Sequence, residues 1–119
     1  MTTLYGISNC DTVRQARRWL DAHGIGYRFH DLRKDGLDQA LLADWVASLG
    51  WETLLNRRGT TWRRLPETVR DKLDRTAAIR LMLEQPAIIR RPVLARGKQL
   101  HVGFSADLYQ SCFSQVART

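Results

Sequence analysis

The order of elements in the first 32 residues constrains the fold of this chain more than any other feature of its sequence. Residues 3–7 and 27–32 are short runs rich in β-forming side chains, and each predicts a strand. Between them, three apolar side chains recur at helical spacing and predict a helix over residues 12–23: Val13, Ala16 and Leu20. A strand, a helix and a strand joined by short links form a βαβ unit, whose two strands are parallel neighbours.

Cys10 lies in the turn between the first strand and this helix. Asp11 or Thr12 is expected to cap the helix, and Gly24 to end it in the left-handed conformation that suits glycine. A thiol at this point faces free backbone N–H groups and the positive end of the helix dipole, with Arg14 one turn further on. This setting favours the thiolate, which is the reactive form of cysteine.

The middle of the chain has helical patterns. An amphipathic helix is predicted over residues 37–49, and Pro66 suits the first position of another, with Val69 and Leu73 facing inward. Asp74 is expected to cap a further helix that ends before residue 86. These patterns predict a helical insert over about residues 36–86.

The sequence pattern in the last third of the chain predicts a hairpin and a final helix. Residues 93–95 and 99–102 flank a tight turn over residues 96–98, which is typical of a β-hairpin. Ser105 is expected to cap the last helix. The predicted apolar stripe of that helix comprises Phe104, Leu108, Cys112 and Val116.

Together these elements predict an α/β protein with a thioredoxin-like fold, in which a βαβ half and a ββα half share one mixed sheet. The core of that fold is expected from about residues 1–35 and 87–119, with the insert between them. No linker, repeat or low-complexity segment divides the chain, so residues 1–119 are expected to form one domain. The reactive cysteine of this fold follows the first strand, as Cys10 does.

Cys10 is therefore the candidate nucleophile. An unperturbed thiol with a pKa of ~8.5 is only about 3% thiolate at pH 7. A helix N-terminus contributes ~0.3–1 kcal/mol, which is less than one pKa unit, so an ionised Cys10 needs a cation as well. Arg14 is nearest in the sequence, and Arg91 or Arg58 would arrive from elsewhere in the fold. The alternative is that Cys10 is a small buried apolar residue, although its position in a turn argues against this.

The second cysteine differs from the first. Cys112 lies on the apolar stripe of the last helix, which predicts a core thiol. Val13 occupies the position where a second cysteine would complete a Cys-x-x-Cys pair with Cys10. The site is predicted to be monothiol, and a redox cycle would take its second thiol from another molecule.

Composition favours a globular protein in a reducing compartment. The chain is 44% hydrophobic and 26% charged, has no apolar run of about 20 residues and lacks a signal pattern, so a cytoplasmic location is expected. Its net charge of +7 comes from scattered arginines without a nucleic-acid-binding motif. Anionic small molecules or an acidic protein are preferred as partners. Neither a metal site nor a bound cofactor is expected, because acidic and histidine residues form no ligand cluster.

Several segments together resemble the arsenate reductase (ArsC) family. Residues 5–14, Tyr-Gly-Ile-Ser-Asn-Cys-Asp-Thr-Val-Arg, are similar to its opening, and residues 54–59 with Trp62 are similar to its second motif. Residues 88–93, Ile-Ile-Arg-Arg-Pro-Val, resemble its Arg-Pro motif, and residues 102–104 its closing segment. The family includes glutaredoxin-coupled arsenate reductases, Spx transcription regulators and a YffB-like branch, which this chain resembles most.

The resemblance implies roles for individual residues. Cys10 is the nucleophile, Arg14 supports it, and Arg91 binds an anion beside a cis peptide bond to Pro92. Arg58 is a second anion-binding candidate. Alternatively, the family's arginine corresponds to position 56, which is Asn56 in this chain, and not to Arg58. Three side chains are expected at the rim of the pocket: Asn9, Thr12 and Trp62.

Arg90, one residue before Arg91, is expected to face the other side of the strand. The family's third arginine has no counterpart in residues 100–103, so a true arsenate reductase is not expected.

The leading hypothesis is a small monomeric, glutathione-dependent thiol–disulfide oxidoreductase. Its Cys10 thiolate would attack a disulfide, a mixed disulfide or an oxyanion, and glutathione would resolve the product, with glutaredoxin as another possible partner. The alternative is an Spx-like, non-enzymatic regulator that binds RNA polymerase, although the Cys-x-x-Cys pair of oxidant-sensing Spx proteins has no match at Val13.

Overall fold

The computed structural model describes residues 2–113, which fold around one four-stranded sheet with the strand order β2-β1-β3-β4. The strands are β1 (Thr2–Gly6), β2 (Arg28–Asp31), β3 (Val93–Arg96) and β4 (Gln99–Val102). β1 pairs in parallel with β2, whereas β3 is antiparallel to both β1 and β4. The sheet is mixed as predicted, and its two central strands come from opposite ends of the chain.

Seven α-helices lie within residues 2–113. They are α1 (Asp11–Ala22), α2 (Gln39–Leu49), α3 (Trp51–Leu54), α4 (Thr60–Arg63), α5 (Glu67–Asp71), α6 (Arg75–Glu84) and α7 (Ala106–Phe113). Helices α2–α6 form the insert between β2 and β3. In this part of the chain, none of the helices has the length and apolar character needed to cross a membrane.

Apolar side chains pack on both faces of the sheet, as the alternation of strand side chains requires. Leu4 and Leu94 pair across β1 and β3 and belong to the core cluster with α1 and α7. Tyr5 and Val93, their neighbours along the strands, pack in the cluster formed with the insert. The sheet therefore separates two cores.

The N-terminus of α1 differs from the prediction. Cys10 occupies the N-cap position, not Asp11 or Thr12. Its backbone is extended, with φ −95° and ψ 127°, while its carbonyl oxygen accepts the first helical hydrogen bond from the Arg14 amide at 3.0 Å. The thiol thus lies at the helix N-terminus beside its free amides, as predicted, although Cys10 itself takes the capping position.

Other predicted helix ends are confirmed. Gly24 follows α1 with φ +65°. Asp74 Oδ1 accepts a hydrogen bond from the Ala77 amide at 2.8 Å, and Ser105 Oγ accepts one from the Leu108 amide at 3.0 Å. Side-chain oxygens of this kind satisfy amides that have no partner inside the helix.

Two predicted helix faces are confirmed only in part. Pro66 is the N-cap of α5 and not its first residue, and the helix ends at Asp71. Leu73 packs against the insert core as predicted, but Val69 is 39% exposed. The predicted stripe of α7 is confirmed in part: Phe104, Leu108 and Cys112 pack against the core but stay partly buried, while Tyr109 and Phe113, which the sequence analysis did not place there, are the buried residues of the helix. The predicted contribution of Val116 lies outside the described residues.

Candidate functional site

The turn that carries Cys10 leaves the carboxyl end of β1 and leads into α1. The Cys10 amide donates to the Ile7 carbonyl at 3.1 Å and closes this turn. The thiol is partly buried and faces the backbone N–H groups of Thr12 and Val13 in the first turn of the helix. Arg91 reaches the same sulfur from the other half of the chain.

These contacts lower the pKa of the thiol. Burial raises the pKa of Cys10, but the Val13 amide, the hydrogen-bonding and charged Arg91 guanidinium and the Thr12 amide outweigh it. The pKa of Cys10 is therefore below the usual range of a cysteine. Hydrogen bonds and positive charge stabilise the thiolate more than the thiol, so a larger fraction of Cys10 is nucleophilic near neutral pH.

Arg91 is held in place by the chain that precedes it. Its Nη1 donates to the carbonyl oxygens of Ala87 at 2.7 Å and Ile89 at 3.3 Å. Its Nε is buried and has no hydrogen-bond partner within residues 2–113. The peptide bond from Arg91 to Pro92 is cis. A guanidinium fixed in this way presents donors to an anion without first having to be ordered.

A cleft of about 390 Å³ opens beside Cys10. Its lining residues are Cys10, Thr12, Asn56, Arg58, Arg90, Arg91, Val102 and Gly103. Three of these eight are arginines and none is acidic, so the cleft favours anionic ligands. Asn56 and Arg58 occur in it together: Asn56 Oδ1 accepts the Arg58 amide at 3.1 Å, and the Asn56 amide donates to the Ile88 carbonyl at 2.8 Å.

The predicted orientation of Arg90 is wrong. Arg90 was expected on the opposite side of a strand from Arg91, yet both line the cleft. The reason is that β3 begins only at Val93, so the alternation of side chains along a strand does not apply to residues 90 and 91.

Arg14 does not have its predicted role of supporting the Cys10 thiolate. Its Nη1 donates to Asp11 Oδ1 at 2.8 Å, and the two side chains are 49% and 88% exposed. The guanidinium is thus directed along the outer face of α1, and the cation at the thiol is Arg91. Asn9 is exposed and is not among the residues that line the cleft, whereas Thr12 is.

Trp62 also lies away from Cys10. It lines a separate cavity of about 270 Å³ beside α5, where the guanidinium carbons of Arg57 and Arg70 lie 5.7 and 6.0 Å from the centre of a Trp62 ring. The short helix α4 turns its ring toward α5 and the insert core, and the predicted rim position is incorrect.

Cys112 is separate from the site. It is partly buried on α7 and packs against the core cluster there, and it is not among the residues that line the Cys10 cleft. Burial raises the pKa of its thiol, and the charge of Arg96 only partly offsets this. Within residues 2–113, His, Cys, Asp and Glu side chains form no group of three that could hold a metal ion.

Asp31 is a residue of the site region that the sequence analysis missed. It is the one buried charged residue among those described, at 4% exposure. Burial raises its pKa, but hydrogen bonds from the Lys34, Arg33 and Ser8 amides and the Ser8 hydroxyl hold that pKa below its usual range. An aspartate followed by a polar turn is a signal for such side-chain-to-backbone bonds, but it does not reveal the contact with Ser8.

A βαβ half and a ββα half around a mixed sheet, with a single cysteine at the N-terminus of the first helix, define a protein of the thioredoxin-like fold. Within that class, the chain belongs to the ArsC family, whose sequence profile matches residues 5–112. The resemblance in its four motifs therefore extends over nearly the whole chain.

Similar proteins support this assignment. An uncharacterized protein of Haemophilus influenzae is 43% identical over 114 residues, which are 96% of this chain and 100% of that protein. The global transcriptional regulator Spx of Streptococcus mutans is 28% identical over 90% of this chain and 79% of its own.

Two solved structures show the same fold. A YFFB protein is 49% identical with a TM-score of 0.89, covering 93% of this chain and 97% of that one. An ArsC-related protein of Brucella melitensis is 51% identical with a TM-score of 0.79, covering 94% and 93%. The family and the fold predicted from the sequence are confirmed.

Proposed function

We propose that this protein is a glutathione-dependent thiol–disulfide oxidoreductase that acts through Cys10 in the reducing environment of the cytoplasm. The observation that carries the proposal is the contact of one thiol with the Arg91 guanidinium and two helix amides, in the wall of an arginine-lined cleft. A stabilised thiolate supplies the nucleophile, and the cleft supplies a place for an anionic disulfide beside it.

The reaction is a pair of thiol–disulfide exchanges. The Cys10 thiolate attacks the glutathione sulfur of a mixed disulfide, forms a bond to it and releases the substrate as a thiolate, which takes a proton from water. The thiolate of a second glutathione then attacks the disulfide on Cys10 and regenerates it, leaving oxidised glutathione. Two electrons pass from glutathione to the substrate, and the protein is unchanged at the end of the cycle.

The second thiol is expected from glutathione because the chain offers none nearby. Val13 occupies the position at which a resolving cysteine follows the nucleophile in a Cys-x-x-Cys pair, and it is fully buried in the core. Cys112 lies on α7, outside the cleft that contains Cys10. An intramolecular disulfide therefore has no suitable partner for Cys10 in this arrangement.

The arginines suit the carboxylates of glutathione. Arg91 keeps a buried Nε donor without an acceptor among the described residues, while Arg58 and Arg90 line the same cleft. Guanidinium groups bind carboxylates through paired N–H donors, which fixes the orientation of the ligand as well as its charge. An anionic disulfide held here would bring its sulfur to Cys10.

The reaction with model disulfides tests this proposal. Oxidised glutathione should form one adduct on Cys10 in the wild type and in Cys112→Ser, reversed by reduced glutathione, and none at that position in Cys10→Ser. The rate should exceed that with cationic cystamine by about tenfold, because charge steers the encounter. Equal rates with the two reagents, or modification of Cys112 as fast as Cys10, would refute the proposal.

A transcription regulator is the second candidate function, and the 28% identity to Spx over most of the chain favours it. In this case the protein would bind RNA polymerase and need no turnover at Cys10. Affinity capture with the wild type and Cys10→Ser separates the two functions. Stoichiometric RNA polymerase on both baits supports the regulator, whereas glutathione-linked proteins on the wild type alone support the enzyme.

A further inference from the structure

A buried carboxylate lies beside the turn that carries the nucleophile. Asp31 is the last residue of β2, and the parallel pairing of β1 with β2 ends where Gly6 lies opposite Asp31. The chain leaves β1 at this point and enters the turn from Ile7 to Cys10. The side chain of Asp31 is thus placed at the start of that turn.

The carboxylate connects this turn to the loop after β2. Its Oδ2 accepts a hydrogen bond from the Ser8 amide at 3.3 Å. Its Oδ1 accepts from the amides of Arg33 at 2.8 Å and Lys34 at 3.0 Å. The Asp31 amide in turn donates to Asp35 Oδ2 at 2.9 Å, which holds the loop around the carboxylate. A buried carboxylate with several amide donors is fixed in position.

The middle of this turn is held less firmly than its ends, where Ile7 is buried and Cys10 is the N-cap of α1. Ser8 and Asn9 are both exposed, so burial of their side chains does not restrict the backbone between β1 and Cys10. Two bonds at its ends do: the Cys10 amide to the Ile7 carbonyl at 3.1 Å, and the Ser8 amide to Asp31. The orientation of the Cys10 backbone decides whether its sulfur meets the amides of the first helical turn.

We propose that Asp31 is a positioning residue for Cys10: through the Ser8 amide it fixes the turn that presents the sulfur to the α1 amides and to Arg91. This inference rests on Cys10 being the nucleophile of the proposed function. It concerns only the state of the thiol, however, so it is tested without any substrate.

The direction in which the Cys10 pKa changes distinguishes a positioning role of Asp31 from a purely electrostatic effect of its charge. A negative charge near a thiol raises the thiol pKa, so its removal alone would lower that pKa. Loss of positioning has the opposite result, because the thiolate loses contacts with the amides and with Arg91. Asp31→Asn, which keeps the size of the side chain, therefore distinguishes the two.

The test is the rate of iodoacetamide reaction at Cys10 across the pH range, followed by mass spectrometry of the Cys10 peptide. Asp31→Asn should raise the midpoint by about half a pH unit or more, because a weaker set of thiolate contacts remains. Asp35→Asn is the matched control for loss of a charge in this loop, since its amide oxygen can still accept the bond from the Asp31 amide and Asp35 does not bond to Ser8. It should leave the midpoint unchanged.

A midpoint that stays the same or falls in Asp31→Asn would overturn the inference. If this variant does not fold, as judged by circular dichroism, Ser8→Pro decides, because proline suits the second position of the Ile7–Cys10 turn but has no amide hydrogen to donate to Asp31. It should also raise the midpoint, and no rise would again overturn the inference. A raised midpoint in a protein that does not react with oxidised glutathione would uphold positioning while the proposed function fails.

Discussion

Gly6 lies so close to Val13 that a Cβ atom built on Gly6 would be 2.7 Å from Val13 Cγ2 and 3.0 Å from Cγ1. Gly6 ends β1, and the fully buried Val13 is in the first turn of α1. The missing side chain allows the helix to approach the end of the strand. Since the Val13 amide faces the Cys10 sulfur, this packing also sets the position of a thiolate contact.

Gly6→Ala is expected to reduce the free energy of unfolding by about 1–3 kcal/mol, because overpacking forces the helix or the Val13 side chain to move. Urea unfolding measures the loss. Gly26→Ala is the matched control, because a Cβ atom there has no neighbour within 4 Å and the backbone is not left-handed. Equal losses in the two variants would contradict the close approach of Gly6 and Val13.

Arg91→Lys should raise the pKa of Cys10 and slow its reaction with oxidised glutathione by about tenfold. A lysine ammonium cannot donate to the Ala87 carbonyl and to the sulfur in the fixed geometry of a guanidinium. The pH dependence of alkylation and the exchange rate measure the two effects.

Two other arginines serve as comparisons for Arg91. Arg14→Lys should change neither quantity, because Arg14 pairs with Asp11 on the outer face of α1. Arg90→Lys should weaken the preference for anionic disulfides while leaving the pKa of Cys10 in place, since Arg90 lines the cleft but only Arg91 reaches the sulfur. Identical effects from Arg90→Lys and Arg91→Lys would contradict this division of roles.

The two cysteines should differ in their reaction with alkylating reagents. Near neutral pH, iodoacetamide should modify Cys10 first, because the pKa of Cys10 is lowered by Arg91 and the helix amides despite burial, while burial raises that of Cys112. Peptide mass spectrometry at increasing pH measures both midpoints. A midpoint for Cys112 at or below that of Cys10 would contradict the structure.

Asp31 should make the stability of the protein depend on pH in the acidic range. Its folded-state pKa lies below the unfolded value, so its contribution is complete above the unfolded pKa of about 3.9 and is lost as the pH falls through the folded pKa. The difference in unfolding free energy between wild type and Asp31→Asn should be constant above about pH 5 and shrink below about pH 4. Urea unfolding at a series of pH values tests this, with the plateau near neutral pH as the internal reference. A difference that stays constant to the lowest pH would contradict it.

Tyr109→Phe is expected to stabilise the protein by about 1 kcal/mol. The Tyr109 hydroxyl is buried and has no hydrogen-bond partner within residues 2–113, and such an unpaired group costs free energy in the folded state. Tyr27→Phe is the opposite control, because the Tyr27 hydroxyl accepts a hydrogen bond from Arg17 Nε at 3.1 Å. It should destabilise by about 1 kcal/mol. Thermal and urea unfolding compare the two, and a loss of stability in Tyr109→Phe would contradict the prediction.

Local patterns predicted the elements of this fold, and long-range packing decided the details. The βαβ unit follows from the apolar spacing of Val13, Ala16 and Leu20 and from two short β-rich runs, all within 32 residues. By contrast, the buried face of α7 depends on its starting residue and on the sheet beneath it. The spacing found Leu108 and Cys112, which pack there partly buried, but missed Tyr109 and Phe113, which are the buried residues.

The site was predictable where it lies in a motif and not where it depends on three-dimensional placement. Cys10 precedes a helix in the sequence, so its setting is local. The side of the chain that Arg90 faces depends on where β3 begins, and the position of Trp62 depends on the packing of two short helices. The contact of Asp31 with Ser8 joins residues 23 positions apart, and a single sequence does not show it.

The contacts around Cys10 would also affect the last step of the proposed reaction. A thiol with a lowered pKa departs readily when a disulfide is cleaved, because the leaving thiolate is already stabilised where it forms. By stabilising the Cys10 thiolate as it leaves, the Arg91 guanidinium and the α1 amides would make the glutathione sulfur of the mixed disulfide a better electrophile and favour the release of Cys10. A mixed disulfide on Cys10 is therefore expected to be short-lived whenever a free thiol is present, and trapping it would require withholding that thiol.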